Sequence, residues 1–396
     1  MEFMADEPFS DDVFKDVPLF RELQRVLFSG TGPVNWELAR QVGIATAVGE
    51  RPDPEPTDED RAMLEQTVRA AELAVADLTG LEAPAEVSKV TPVRRARWVE
   101  ANVTGLRGLF EPGAERLGKL MLETPSHELG GESVPGLESL AGLGTMMGRM
   151  APLLMGTQVG MVLGMLGRRA LGQYDLAVPR EGQDSLLFVI PALDELEREW
   201  DLPRDELRAW VALHEVTHAL QLGRPWVRDH FLEQIRELAA GMEFDLSGLE
   251  ERLAGMDLSD PERLQDALGD PADLLGQKLT EEQRLLMRRV QALMAAAEAH
   301  ADHVLEVLGG RMLSTSARIE EAMLRRRETR GEHERMAERL LGFELTEEHL
   351  RLGRGFVERV VEAADERVLA SMWESAEELP SMPELEEPRL WLSRTA

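Results

Sequence analysis

The stretch His214-Glu215-Val216-Thr217-His218 specifies chemistry more sharply than any other part of the chain. Two histidines at i and i+4 stand one above the other on a helix face, so their imidazoles can close on one zinc ion. Glu215, about 100° around the same helix, can reach a water on that ion and act as general base. With 8 His in 396 residues, a five-letter match of this kind arises by chance in on the order of one or two chains in a hundred. The flanks strengthen it. Val211-Ala212-Leu213, Val216-Thr217 and Ala219-Leu220 carry no charge and no proline, as a buried, continuous helix requires. The bland alternative is a pair of metal-free histidines on a partly buried helix face. The chain has no cysteine, so disulfides, thiolate metal sites and a cysteine nucleophile are excluded, and any metal is held by His, Asp and Glu.

A catalytic zinc takes a third protein ligand and keeps a fourth position open. Glu298-Ala299-His300-Ala301-Asp302-His303 offers one. Glu298 and Asp302 lie one turn apart on one face, a spacing that suits a carboxylate ligand with a supporting carboxylate, Asp302 accepting the other ring N–H of His214. Beside the run ALMAAA a buried acidic pair is costly without a cation; on a surface it would form ordinary ion pairs. His300 and His303, at i and i+3, are the alternative source of a ligand, from a face roughly opposite Glu298. Glu215 and His218 also spell the Glu-x-x-His unit of di-iron bundles, but no second copy occurs, so that site is excluded. Water attack on a carbonyl needs an electrophile for the oxyanion, and Tyr174, the only tyrosine, is the first candidate, with His230 and His303 beside it.

The elements that must position these residues read as mainly α with a small β-hairpin or sheet, an α+β chain. The motif helix is predicted from Pro203, with Asp201 as N-cap, to the stop at Gly223-Arg224-Pro225. The helix bearing Glu298 runs from Thr280 to Gly309-Gly310. Gln173–Val178 and Ser185–Ile190 read as a β-hairpin across the turn Pro179–Asp184. Apolar spacing predicts helices around Glu37–Val48, Asp58–Thr79, Arg94–Leu109, Gly113–Glu123 and Ser139–Leu171. The expected organisation is an N-terminal helical region (1–124), a linker (125–136) and a unit holding the Gly/Met helix, hairpin and motif helix (137–240). An acidic surface insertion (241–279) and a C-terminal helical region with the third ligand (280–396) follow. The basic run Arg325-Arg326-Arg327 reads as a solvated face pairing with nearby Glu.

Charge narrows the partners. Against 44 Lys+Arg stand 74 Asp+Glu, a formal charge of -30, which repels phosphate backbones and anionic headgroups, so nucleic acid is not an expected partner. Ala151–Gly167, with Gly156, Gly160 and Gly164 at four-residue spacing, could mimic a membrane span, but its length, Thr157, Gln158 and Pro152 favour a buried helix. The acidic start Met1–Phe20 has no signal-peptide pattern, and the expected location is cytoplasmic.

His214–His218 followed by Glu298-x-x-x-Asp302 resembles the gluzincin pattern, and the wider sequence resembles a family of largely uncharacterised bacterial zincin-like proteins, often associated with deazaflavin-coenzyme biosynthesis. The marks, in order, are Arg97–Asn102, Leu171–Asp175, Trp210–Gln221, Pro225–His230, Glu298–Asp302, Arg325–Arg327 and Leu379–Trp391. The resemblance implies a helical zincin-like metallopeptidase with one zinc per chain, His214, His218 and Glu298 as ligands, Glu215 as base and a peptide or amide substrate. It also implies that Ser185–Ile190 presents an edge strand to extended substrate. The chain has Ala299 where the family usually has Gly, and 80 residues separate His218 from Glu298, more than in thermolysin-type enzymes. The second reading is a scaffold that keeps the metal site without turnover; retention of a base at Glu215 speaks against it.

Overall fold

The computed structural model describes residues 32–81, 89–123, 137–175, 177–180, 185–241, 280–328 and 345–395. The linker expected at 125–136 and, beyond Gly241, the acidic insertion lie outside them. The described chain is mostly helical with one two-stranded sheet. Its elements are α1 (Trp36–Val48), α2 (Asp58–Thr79), β1 (Val90–Val93), α3 (Arg95–Gly105), α4 (Arg107–Glu123), α5 (Leu137–Arg169), β2 (Leu186–Val189) and α6 (Ile190–Trp200). They continue with α7 (Arg204–Leu222), α8 (Pro225–Ala240), α9 (Glu281–Met312), α10 (Ser316–Glu328), α11 (Glu347–Ala363), a 3-10 helix (Glu366–Trp373), α12 (Met382–Glu386) and α13 (Pro388–Thr395). Buried apolar side chains from Val34 to Trp391 form one cluster.

The motif helix α7 is the centre of this cluster. Leu207, Arg208, Trp210–Leu213 and Glu215–Leu222 are buried, so beyond its first turn the helix is largely enclosed, with α2, α9, α10 and β2 packed against it. Its ends are set by backbone chemistry. Asp201 is the left-handed C-cap of α6, φ 50°, its N–H bonded to the Glu197 carbonyl; the N-cap of α7 is Pro203. The expected capping role of Asp201 is thus corrected: the connection is so short that Asp201 must close α6, a conformation Asp tolerates better than most residues. α9 starts on a capping box, Thr280 with Gln283. It passes through Gly309 and Gly310 to Met312, beyond the stop the glycines suggested.

The hairpin is also corrected. β2 pairs in parallel with β1, Val90 opposite Leu186 through Val93 opposite Val189. Residues 173–175 instead form a turn, because the Asp175 carboxylate accepts the Leu171 and Gly172 N–H groups. That segment touches β2 only at the isolated antiparallel bridge Gly172–Phe188 and through Val189 N–H to the Leu171 carbonyl, 2.8 Å. β2 is buried at all four positions, with β1 along one edge and Gly172 on the other, so it is not the open edge strand expected for substrate.

Two contacts hold α7 and its surroundings in place. The first is ionic. Arg208, fully buried, donates to Asp60 at 2.7 Å, Asp194 at 2.9 Å and Glu197 at 3.1 Å. Arg204 meets the same Asp60 oxygen at 2.6 Å. Asp60 also closes the capping box of α2 with Thr57, so one carboxylate joins the start of α2 to α7. Burial pushes its pKa up, but hydrogen bonds from Thr57 and Arg208 prevail and hold it at about 2. The second is steric. α5 lies on α1 so closely that a Cβ on Gly160 would sit 2.6 Å from the Ala39 carbonyl oxygen, and one on Gly164 2.4 Å from Thr46 Cβ. The Gly/Met segment is thereby a buried helix face, and among the described residues no helix is long and apolar enough to cross a membrane.

Two outcomes are expected. Asp60 contributes about 2 kcal/mol that is present above its unfolded pKa and lost as pH falls from roughly 4 towards 2. Urea midpoints of wild type should therefore drop across that window, while Asp60→Asn, less stable at pH 7, should give a flatter profile. Gly160→Leu should lower the urea midpoint by an amount equivalent to about 1–3 kcal/mol or more, because backbone cannot yield to the new side chain.

Candidate metal centre

α7 and α9 cross so that His214, His218 and Glu298 each bring one ligand atom to within 4.8 Å of the others. No other group of three His or acidic side chains with metal-binding spacing occurs among the described residues. The two imidazoles stand edge to face, ring centres 4.5 Å apart at 77°. Trp210, one turn earlier on α7, lies parallel to His214 at 6.2 Å and 9°, which fixes that ring's plane.

Protonation states follow from the neighbours. His218 Nδ1 sits 3.0 Å from the Gln221 carbonyl oxygen. A carbonyl only accepts, so Nδ1 carries the proton and Nε2 is left as a bare lone pair. That Nε2 is buried with no hydrogen-bond partner. Burial, and then the adjacent His214, push the His218 pKa well below the usual imidazole value, so the ring is neutral, as a ligand must be. Burial opposes charge on His214 too, but Glu215, Glu298 and Asp175 outweigh it and raise its pKa. A bare, buried nitrogen facing a second imidazole and a carboxylate fits a divalent cation such as zinc.

Glu215 is 1% exposed. One oxygen accepts the Tyr174 backbone N–H at 2.8 Å and the other lies 3.3 Å from His214 Nδ1. Burial raises its pKa against the pull of His214 and Tyr174. The carboxylate rests directly on Gly172: a Cβ there would be 2.3 Å from Glu215 Cδ. Only glycine allows that approach. Gly172 is itself held by the Trp98 indole, which donates to its carbonyl at 2.7 Å, and the Trp98 ring carries the buried Arg180 guanidinium at 5.8 Å. Burial lowers the Arg180 pKa to about 10, with Tyr174 and Glu215 acting in the opposite direction. The Tyr174 ring, 2% exposed, lies 5.9 Å from His218.

The remaining candidates lie elsewhere. His300 accepts from the Trp373 indole at 3.3 Å and stacks on it, and burial takes its pKa to about 3. His303 faces Glu366 at 3.6 Å. Both belong to the α9 face covered by the 3-10 helix, because two and five residues along a helix from Glu298 are turns to about 200° and 140°. His230 faces Glu233, Arg289, Glu377 and Glu237. Asp302 faces Arg327 at 3.6 Å and makes no bond to His214, whose Nδ1 is at Glu215; the expected Asp302–His214 pair is absent.

Sequence reasoning missed the basic run. Arg325 is as expected, 2.5 Å from Glu321, with Trp200 below it. Arg326 instead exchanges hydrogen bonds with Arg169, each guanidinium donating to the other's carbonyl, and approaches Asp175 at 3.9 Å. Arg327 turns to Asp302. A charge triplet gives no clue to which side chain turns inward; only the docking of α10 against α7 and α9 decides it.

The Chloroflexus aurantiacus crystal structure of a presumed hydrolase with a novel fold is similar over 91% of this chain and 98% of its own, at 28% identity and a TM-score of 0.64. No curated protein matches the chain. The model of the zincin-like metallopeptidases, a family of metal-dependent hydrolases, matches residues 34–392, a span that takes in α7, the Gly172 turn and α9. The chain belongs to the zincin-like metallopeptidase family.

Proposed function

We propose that the protein is a zinc-dependent peptidase or amide hydrolase, with His214, His218 and Glu298 as ligands and Glu215 as general base. The reading is carried by one observation: the neutral His218 presents a buried, partnerless Nε2 to His214 and Glu298, all within 4.8 Å. Zinc bound there supplies a Lewis acid that acidifies water and polarises a carbonyl. Glu215 takes the proton of the attacking water on an oxygen next to His214 and returns it to the leaving amine. The Tyr174 N–H holds the other Glu215 oxygen, which keeps the carboxylate aimed. The Tyr174 phenol, with Arg180 behind it, is the hydrogen-bond donor for the oxyanion. No open strand edge serves substrate at β2, so recognition falls to side chains around the centre.

Elemental analysis after dialysis should give near one zinc per wild-type chain and strongly reduced zinc in His214→Ala and Glu298→Ala. Zinc fully retained in Glu298→Ala would remove that residue from the ligand set. Glu215→Gln should keep zinc yet lose about 10²–10⁴-fold in hydrolysis of a peptide library; unchanged turnover would sink its role as base. Gly172→Ala, whose Cβ meets Glu215, should keep zinc and lose at least about tenfold in kcat, since displacing a catalytic group by an ångström costs on that scale or more.

A further inference from the structure

We infer that Arg327 is the specificity-determining anchor for a carboxylate on the substrate, and that the preferred substrates are short peptides or acylated amino acids with a free C-terminal carboxylate close to the bond cut. The inference rests on the hydrolase reading and names its substrate class.

Three observations carry it. First, the arginine is held in register with the metal centre. Arg326, its neighbour, is locked to the end of α5 by the reciprocal carbonyl bonds with Arg169 and leans on Asp175 of the Gly172 turn. The last turn of α10 is thereby tied to the end of α5 and to the turn against which Glu215 rests. Second, the Arg327 side chain is 40% exposed and its ion pair among the described residues, with Asp302, is 3.6 Å long. A charge-assisted bond to a carboxylate closes to about 2.7–2.9 Å, and a guanidinium has five donors in a planar fork. The Asp302 contact leaves most of that fork for a second carboxylate. Third, its field falls on the centre itself: Glu298 and Asp175 act on Arg327 electrostatically together with Asp302, and Arg327 acts on His218.

The spacing along α9 sets the reach. Asp302 is one helical turn beyond Glu298, a rise of about 6 Å, and an extended chain advances about 3.3–3.6 Å per residue. A carboxylate seated on Arg327 places a bond one or two residues away at the centre. On a chain of charge -30, an anionic end approaches only where a local cation offsets the field. Arg327 supplies that cation beside the ligand carboxylate.

The test is equilibrium binding by calorimetry to the zinc-loaded, full-length Glu215→Gln variant, so that no turnover is required. The probes are N-acetyl-Ala-Phe as free acid and as C-terminal amide. The acid should bind about ten- to a hundredfold tighter than the amide. Arg327→Met in the same background should bring the two within about twofold, Arg327→Lys should restore part of the preference, and Asp302→Asn, which frees the fork, should enlarge it. Equal binding of acid and amide by the parent overturns the inference. So does a preference that survives Arg327→Met, which would mean the carboxylate sits on zinc itself. Should Arg327→Met fail to fold or to load zinc, an undiminished preference in Arg327→Lys together with no change in Asp302→Asn overturns it equally. The zinc content of wild type, His214→Ala and Glu298→Ala tests the hydrolase reading separately, so the two can fail apart.

Discussion

From Leu207 on, α7 is buried at all but two positions, and the need to satisfy its inward polar side chains organises the molecule. α7 carries Arg208, Glu215, Thr217, His218 and Gln221 into the interior, and each must find a partner inside the fold or be costly. Arg208 finds three carboxylates from α2 and α6. Thr217 bonds back to the Leu213 carbonyl, His218 to Gln221 and Glu215 to the Tyr174 N–H. Breaking one member of such a set leaves a bare charge and costs about 3–5 kcal/mol. Of the α7 atoms buried without a hydrogen-bond partner, Arg204 Nε, Trp210 Nε1, His218 Nε2 and Gln221 Nε2, His218 Nε2 is the one on a residue grouped with His214 and Glu298. A lone pair left open beside a second imidazole and a carboxylate marks this stretch of the helix off from the surrounding core.

The site is assembled from distant segments, each fixed by its own local chemistry. Trp98 on α3 fixes the Gly172 carbonyl, Asp175 folds the turn, and the absence of a side chain at Gly172 admits Glu215. The Gly172 turn is thus a fitted wall. Behind it, the glycine contacts of α5 on α1 allow the N-terminal helices to pack close enough for α3 to reach the turn. Small residues in the N-terminal half and charged residues in the C-terminal half act on the same few atoms.

Much of this was legible in the chain itself. The pattern around His214 and His218 identifies α7 because zinc spacing and helical period coincide, and α2 is bounded by Thr57 and Gly80 as its sequence indicates. The placing of Glu298 beside the two histidines was legible because the charge interrupts an alanine-rich buried run. The small sheet was not. β1 is four residues, VTPV, too short and too interrupted by proline for periodicity, and its partner follows three helices later. Asp201 misleads because a short Asp-Leu-Pro connection supplies signals for both the end of one helix and the start of the next. Arg326 and Arg327 are invisible because their direction depends on where α10 docks, a tertiary fact without a local signature.

The parallel pairing of β1 with β2 has a consequence for how the chain reaches this state. Antiparallel neighbours can close by a tight turn, whereas this pair must wait for α3, α4 and α5 to bring residues 90–93 to residues 186–189. The entropy of closing so long a loop is met before the pairing gives anything back. The Gly172 turn hangs from β2 by Phe188 and Val189, so the wall behind Glu215 rests on that pairing. The wall behind Glu215 thus depends on a pairing that no local turn can close.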